Sequence, residues 1–176
     1  MQRRHPLPRL WLMTDERQGE DLWTALEALP RRAGVVFRHY WAAPAERRGL
    51  FARVRRIAAR RQLLLLAAGG RLPGARGRHG RGGRIGARGL TSASAHDLRE
   101  VRAAERSGAH LVFLSPVFAT RSHPGARALG RVRFGLIARQ ARIPVIALGG
   151  VDSRTGRGLG PLGAYGWAGI DAWIAP

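Results

Sequence analysis

Short apolar stretches alternate with helical or glycine-rich connections along the whole of this 176-residue chain. Residues 10–15, LWLMTD, form the first apolar stretch. Residues 19–34 follow with leucines and a tryptophan at a helical spacing that ends near Pro30 and Gly34. The step repeats with a strand predicted over 35–40 and a helix predicted over 44–62, whose apolar residues share one face while arginines surround the rest. Alternating strand and helix units predict a parallel sheet with right-handed crossovers.

The remaining two thirds of the chain keep this pattern after one weak segment. Strands are predicted at 63–68, 89–94, 110–118, 144–150 and 165–173, and helices at 97–107 and 131–141. With a fourth strand placed in the glycine-rich segment 69–88, we count eight candidate strands, and eight parallel strands favour closure into a (β/α)8 TIM barrel. A doubly wound open sheet is the alternative, but it would carry a glycine-rich loop after its first strand, and TDERQGED at 14–21 is not one.

The chain is short for a TIM barrel, which usually takes about 250 residues. We therefore expect a reduced barrel, with shortened or missing helices around 69–88 and at the C-terminus. Residues 69–88 hold so much glycine that a regular helix is not expected there. The length fits one domain over residues 1–176.

The composition excludes several classes of protein. The chain has no cysteine, which removes disulfides, thiolate metal sites and cysteine nucleophiles and makes a reducing cytoplasm the expected compartment. The longest apolar run, near 63–68, is far shorter than the roughly 20 residues of a membrane helix, so no membrane partner is expected. The start reaches prolines and Asp15 before any apolar core, so we read it as mature protein.

The charge is strongly positive, with 31 basic and 11 acidic residues and a net charge of +20. Such a balance ordinarily indicates a nucleic-acid or other anionic partner. The chain has no lysine and no asparagine but 24 glycines, a bias typical of GC-rich coding, so charge alone does not lead us to expect a nucleic-acid partner. The acids are more informative, because none lies between Glu46 and Asp97, a stretch that holds 13 arginines. That stretch favours anions.

Three predicted strand ends carry polar groups, at 92–96, 115–130 and 147–152. Active sites of TIM barrels lie at the carboxyl ends of their strands, so these segments are the candidates for function.

Two of these segments suit a phosphate group. Thr120, Ser122 and His123 occupy a loop shaped by glycine and proline that could hold an oxyanion. Gly149 and Gly150 follow the seventh strand, where adjacent glycines let backbone N–H groups approach a phosphate closely. They could instead serve only a tight turn.

The order of SAH, GAHLVFLSPVFATRSHPGARALG, IPVIALGGV and GAYGWAGI over residues 89–172 resembles the thiamine phosphate synthase and TenI family. VVFRHY is similar to the family's second strand, and RGRHGR to a segment that normally reads glycine, any residue, histidine. The resemblance implies a TIM barrel that joins a pyrimidine pyrophosphate to a thiazole phosphate and releases pyrophosphate, with magnesium as the cofactor. In the TenI branch it implies isomerisation of the thiazole.

The resemblance also implies roles for individual residues. Arg38, at the end of the second strand, would meet pyrophosphate, and Ser94 would be the serine of the fifth-strand motif. His123 stands where the synthases have a lysine and joins Arg38 and Ser94 as a candidate catalytic residue. The implied phosphate- and substrate-binding positions are Thr120, Ser122, Gly149, Gly150 and Ile170.

The sequence departs from the family pattern at several places. Tyr40 replaces the second cation of the second strand, Asp171 replaces a serine near the end of the eighth strand, and Pro116 replaces the TenI histidine. The ends of the third and fourth strands hold none of the carboxylates that bind magnesium in the synthases. Magnesium needs oxygen ligands in an octahedral array, so no metal ligands are predicted.

Several candidates also have a purely structural interpretation. Arg38 could fill the barrel, Asp15 could cap the first helix, and His96 is more often part of a helix cap than a ligand. His39 and His79 are interpreted as structural.

Three function hypotheses follow. In the first, arginines substitute for magnesium and the condensation or a related thiazole reaction survives. In the second, the chain is a TenI-like binding or accessory protein without synthase activity, and in the third, which depends only on charge, it binds nucleic acid. Apolar faces expected near Ile170 and Trp173 also lead us to expect a homodimer or a covering N-terminal segment.

Overall fold

The structure is a computed structural model that describes residues 7–81, 89–120, 125 and 127–174. Eight parallel strands form a closed barrel in chain order, so the TIM-barrel prediction is confirmed. The strands are β1 (Leu10–Met13), β2 (Gly34–Phe37), β3 (Leu64–Ala68), β4 (Gly77–Arg81), β5 (Leu90–Ala95), β6 (Leu111–Leu114), β7 (Val145–Ala147) and β8 (Gly166–Gly169).

The outer layer has fewer helices than a full TIM barrel. Its helices are α1 (Asp21–Ala28), α2 (Pro44–Arg61), α3 (Leu98–Arg106), α4 (Gly130–Ala138) and α5 (Ser153–Arg157), with 3-10 turns at Glu16–Gln18 and Gly160–Leu162. Within the described residues no helix joins β3 to β4 or follows β8, as expected; residues 82–88 lie outside them. No helix in the described part of the chain is both long and apolar enough to cross a membrane.

The helix predicted over 19–34 is shorter in the structure. A 3-10 turn comes first, Gly19 then takes a φ of +50°, and α1 begins only at Asp21. The positive φ of Gly19 breaks the helical path between the two. The predicted type was therefore right, and the helix ends near Pro30 as expected, since α1 ends at Ala28. Its start lies two residues later than the predicted Gly19.

Strand β4 forms from a sequence, GRHGR, that has little intrinsic preference for a strand. Its neighbours determine it, because Gly77 pairs with Leu66 on one side and Leu90 on the other. A Cβ on Gly77 would lie 1.9 Å from the Leu90 carbonyl oxygen, so only glycine permits this close approach.

The core has two layers, as expected for a closed barrel. Inside the barrel, the Trp11 and Phe113 rings meet edge to face at 5.3 Å beside Met13, Val36 and Leu66. Outside it, buried residues of the strands pack against those of the helices in two clusters. Side chains of the described residues therefore fill the barrel interior.

Trp173 closes the region where an exposed apolar face was expected. Its indole N–H donates to the Trp11 carbonyl oxygen at 3.2 Å, and its ring stacks on that of Trp167 at 4.9 Å. Trp173 is half-buried as a result. The homodimer remains a prediction, but this face no longer motivates it.

Candidate functional site

A cavity of about 1440 Å³ opens at the carboxyl ends of the strands. Its lining includes residues of β1, β3, β4, β5 and β8 and of the loops that follow β2, β6 and β7. Six of the eight predicted site residues line it: Arg38, Ser94, Thr120, Gly149, Gly150 and Ile170. The other two, Ser122 and His123, lie outside the described residues. The structure thus brings these six together, while their roles remain predictions.

Arg38 is anchored at the floor of this cavity by the end of β1. Its Nε donates to the Thr14 carbonyl oxygen and its Nη2 to Asp15 Oδ2, both at 3.0 Å. A guanidinium has five N–H donors, so three of them have no acceptor among the described residues. Burial lowers the pKa of Arg38, and the charge of Asp15 partly offsets this. An arginine stays protonated at working pH despite such a shift, so Arg38 presents a cation to the cavity.

Asp15 caps the 3-10 turn Glu16–Gln18 and not α1, and it pairs with Arg38 as well. Its Oδ1 accepts from the Arg17 backbone N–H at 3.1 Å and from Arg17 Nε at 2.8 Å. Burial by itself would raise the pKa of Asp15, but the hydrogen bonds and charge of Arg17, with help from Arg38, lower it below the usual value. Asp15 is therefore an engaged carboxylate and holds Arg38 in place.

Two histidines of the site, His39 and His79, are buried, and His79 also lines the cavity. His39 Nδ1 is 3.1 Å from Thr14 Oγ1, and its ring stacks on Phe37 at 4.8 Å. His79, in β4, contacts the hydroxyls of Ser92 and Ser94 with its two ring nitrogens. Burial, with a smaller contribution from the charge of Arg38, lowers the pKa of His79 to about 3.

Gly149 and Gly150 serve a tight approach of two loops and also line the cavity. Their φ values are +89° and +62°, and a Cβ would lie 2.8 Å from Pro116 Cα at Gly149 and 2.4 Å from the Ala119 carbonyl oxygen at Gly150. The structure therefore requires glycine at both positions whatever they bind. Among acceptors in the described part of the chain, none takes a hydrogen bond from either glycine N–H.

Two exposed aromatic residues that were not among the predicted site residues also line the cavity. Trp41 is 89% exposed and Tyr40 is 51% exposed, and both line the cavity. The Trp41 backbone N–H donates to Glu16 Oε1 at 2.9 Å, and the Tyr40 ring lies against Gly69, where a Cβ would come within 2.8 Å. Consecutive aromatic residues in the loop after β2 were the available signal.

Comparison with known proteins fits this geometry. Residues 75–173 match the family described as thiamine monophosphate synthase. The chain belongs to this family. The match starts just before β4, so β1–β3 and with them Arg38 lie outside the matched part.

Relatives with this family's name support the assignment over about half of this chain's length. A protein of Aquifex aeolicus provisionally named thiamine-phosphate synthase 2 is 40% identical over 81 residues, which are 46% of this chain and 44% of that protein. The thiamine-phosphate synthase of Chloroflexus aurantiacus is 34% identical over 87 residues, 49% of this chain and 40% of that protein. The chain thus matches less than half the length of these curated relatives.

A solved structure extends the likeness to nearly the whole chain. The thiamine phosphate pyrophosphorylase from Pyrococcus furiosus superposes on this chain with a TM-score of 0.76 at 25% sequence identity. The superposition covers 96% of this chain and 88% of the pyrophosphorylase chain. The complete barrel, including β1–β3, therefore follows the family fold.

Magnesium, which the family implies, does not fit the residues of this site. Within the described residues no group of three or more His, Asp or Glu side chains could hold a metal ion. Asp15 is engaged by two arginines, and Asp152 accepts from the N–H groups of Arg154 and Thr155 as the cap of α5. Magnesium prefers several oxygen ligands in octahedral geometry, which these separated carboxylates do not offer.

Proposed function

We propose that this chain binds a pyrimidine pyrophosphate and a thiazole phosphate in the carboxyl-face cavity and condenses them with release of pyrophosphate. The observation that carries the proposal is Arg38, a mostly buried cation at the cavity with three N–H donors that have no acceptor among the described residues. A cytoplasmic location and a homodimer belong to the same proposal.

Arg38 supports the electrostatic part of this function. When pyrophosphate leaves, the bond between the pyrimidine-bearing carbon and a phosphate oxygen breaks, and negative charge builds up on the leaving group. A guanidinium binds phosphate oxygens through two parallel hydrogen bonds and keeps its charge, so Arg38 can stabilise the leaving group without a metal.

The glycines after β7 support binding of a second phosphate. The N–H groups of Gly149 and Gly150 have no acceptor among the described residues. Backbone N–H groups in a concave turn bind anions, and the loop after the seventh strand of a TIM barrel is a frequent phosphate site.

The two exposed aromatic residues support a planar ring as the organic part of the ligand. The exposed indole of Trp41 and the ring of Tyr40 line the cavity, where a bound heterocycle would stack on them. In the free protein the apolar surface of the exposed indole is in contact with water. A stacked ligand would remove that surface from water, which favours binding.

A second candidate is a TenI-like binding or accessory protein without synthase activity. The lack of a metal-binding cluster in the described residues favours it, because a divalent ion stabilises a leaving pyrophosphate more strongly than one arginine.

The two candidates differ in product formation. We would incubate the protein with both substrates, in EDTA and then in magnesium, and measure thiamine phosphate and released pyrophosphate. The first candidate predicts both products in EDTA, reduced at least tenfold in Arg38→Gln and unchanged in Arg133→Gln, an exposed arginine of α4. Binding of both substrates without product would support the accessory protein, and failure to bind either would contradict both.

A further inference from the structure

A chain of three hydrogen-bonding side chains runs from inside the barrel to the cavity. Ser92 Oγ lies 2.9 Å from His79 Nδ1, and His79 Nε2 lies 3.0 Å from Ser94 Oγ. Ser92 has no exposed surface, whereas Ser94 is half-buried and lines the cavity. The His79 ring also meets the edge of Phe113 at 5.3 Å, which fixes its plane.

His79 is neutral in this environment. No carboxylate contacts it in the described residues, and both of its ring nitrogens face serine hydroxyls. Burial and the nearby cation of Arg38 both disfavour an imidazolium and lower the pKa of His79 to about 3. A neutral imidazole has one N–H donor and one acceptor nitrogen, so His79 donates to one serine and accepts from the other.

The surroundings of Ser92 determine which atom donates and which accepts in these two hydrogen bonds. Its hydroxyl has one hydrogen to donate, and His79 Nδ1 is the only partner of its Oγ among the described residues. A buried hydroxyl without an acceptor costs free energy, so Ser92 donates to Nδ1. The proton of His79 is then on Nε2, which donates to Ser94 Oγ.

We infer that Ser92 and His79 are positioning residues that make Ser94 a hydrogen-bond donor toward the cavity, for an acceptor oxygen of a phosphate or pyrophosphate. Because Ser94 Oγ already accepts from His79 Nε2, its own O–H is free to donate away from the histidine. The opposite tautomer would have Ser94 donate to Nε2 and present only lone pairs, which suit an amino group and repel an anion. The ligand part of this inference rests on the proposed function, and the hydrogen-bond direction does not.

The tautomer can be read directly by nitrogen NMR of protein labelled with 15N-histidine. The spectrum of His79→Gln identifies the His79 signals among those of the six histidines. We expect a protonated Nε2 and a bare Nδ1 in the ligand-free protein. Ser92→Ala removes the donor to Nδ1, so a mixture of tautomers should appear, whereas Ser92→Thr keeps a hydroxyl and should keep the Nε2 tautomer.

Pyrophosphate binding, measured by calorimetry on the same proteins, tests the role of the Ser94 donor. We expect a threefold to tenfold loss of affinity in Ser94→Ala and a smaller loss in Ser92→Ala, with wild-type affinity in Ser92→Thr; thermal melting shows that each variant is folded. A protonated Nδ1 or an imidazolium in the wild type would overturn the inference, as would unchanged affinity in Ser94→Ala. Wild-type protein that has the Nε2 tautomer but binds neither pyrophosphate nor the two substrates would overturn the proposed function and leave the hydrogen-bond direction intact.

Discussion

The carboxylate of Asp15 accepts a hydrogen bond from Nη2 of Arg38 at 3.0 Å and so joins the ends of β1 and β2 at the cavity floor. The pair is mostly buried, with the Arg38 side chain 17% exposed and that of Asp15 19% exposed. Asp15 therefore orients the cation, but it also neutralises part of the charge that an anionic ligand would meet.

Asp15→Asn should strengthen pyrophosphate binding. The amide still offers an oxygen to Arg38 and Arg17 but carries no charge, so the attraction between Arg38 and the anion is no longer opposed. Removing one unit of negative charge near a bound anion should favour binding by about 1 kcal/mol, which is roughly a fivefold change in the dissociation constant. Titration calorimetry measures it, and weaker binding than wild type would show that orientation of Arg38 matters more than local charge.

Gly150→Ala should destabilise the protein even without a ligand. The new Cβ would meet the Ala119 carbonyl oxygen at 2.4 Å, and the φ of +62° disfavours any residue with a side chain. We expect a loss of roughly 2 kcal/mol or more in the free energy of unfolding, measured with urea.

Gly49→Ala is the matched control for that glycine. Gly49 lies on the exposed face of α2, and no atom is within 4 Å of its added Cβ. Alanine should stabilise this helix by up to about 1 kcal/mol. Equal effects of the two substitutions would contradict the steric account of the β7 loop.

The stability of the protein should fall between about pH 6.5 and pH 3 partly because of His79. The pKa of His79 is about 3 in the folded chain and about 6.5 in the unfolded chain. Between these values the unfolded chain binds more protons, so the free energy of unfolding rises with pH and the stabilisation is fully present only above about pH 6.5.

Urea unfolding of wild type and His79→Gln near pH 4.5 and near pH 7 measures this contribution. The wild type should lose about 2 kcal/mol more than the variant on acidification. Burial also lowers the pKa of His39. His39 is present in both proteins, so its contribution to the pH dependence cancels in the comparison. The same loss in both proteins would mean that His79 does not carry the effect.

Most of the fold follows from the sequence because its apolar pattern is strong. The strand predicted at 110–118 is β6, Leu111–Leu114, and the helix predicted at 97–107 is α3, Leu98–Arg106. Predicted strands run too far at their carboxyl ends, since the residues that follow them belong to the loops of the cavity. Strand β4 escaped prediction by pattern, because pairing with its neighbours and not local preference makes GRHGR a strand.

The site was predictable in position and less so in its contacts. Arg38, Ser94 and the glycines after β7 lie at the cavity as the rule for TIM barrels predicts. The pairing of Arg38 with Asp15 and of His79 with two serines depends on the barrel bringing separate strands together, which spacing along the chain does not show.

Trp41→Ala should weaken binding of the pyrimidine pyrophosphate but not of inorganic pyrophosphate. Aromatic stacking contributes about 0.5–1.5 kcal/mol, which corresponds to a loss of roughly twofold to twelvefold in affinity. Trp41→Phe keeps an aromatic ring and should retain most of the affinity. Equal losses for both ligands would show that Trp41 acts on the shape of the anion site and not on the ring.

Calorimetric titration of the wild-type protein with the pyrimidine pyrophosphate in EDTA tests the central claim, that arginine and backbone N–H groups bind the ligand without a metal. The account predicts binding in EDTA, an affinity that magnesium changes less than threefold, weakening by added salt, and at least tenfold loss in Arg38→Gln. A strict requirement for magnesium, or full binding by Arg38→Gln, would contradict it.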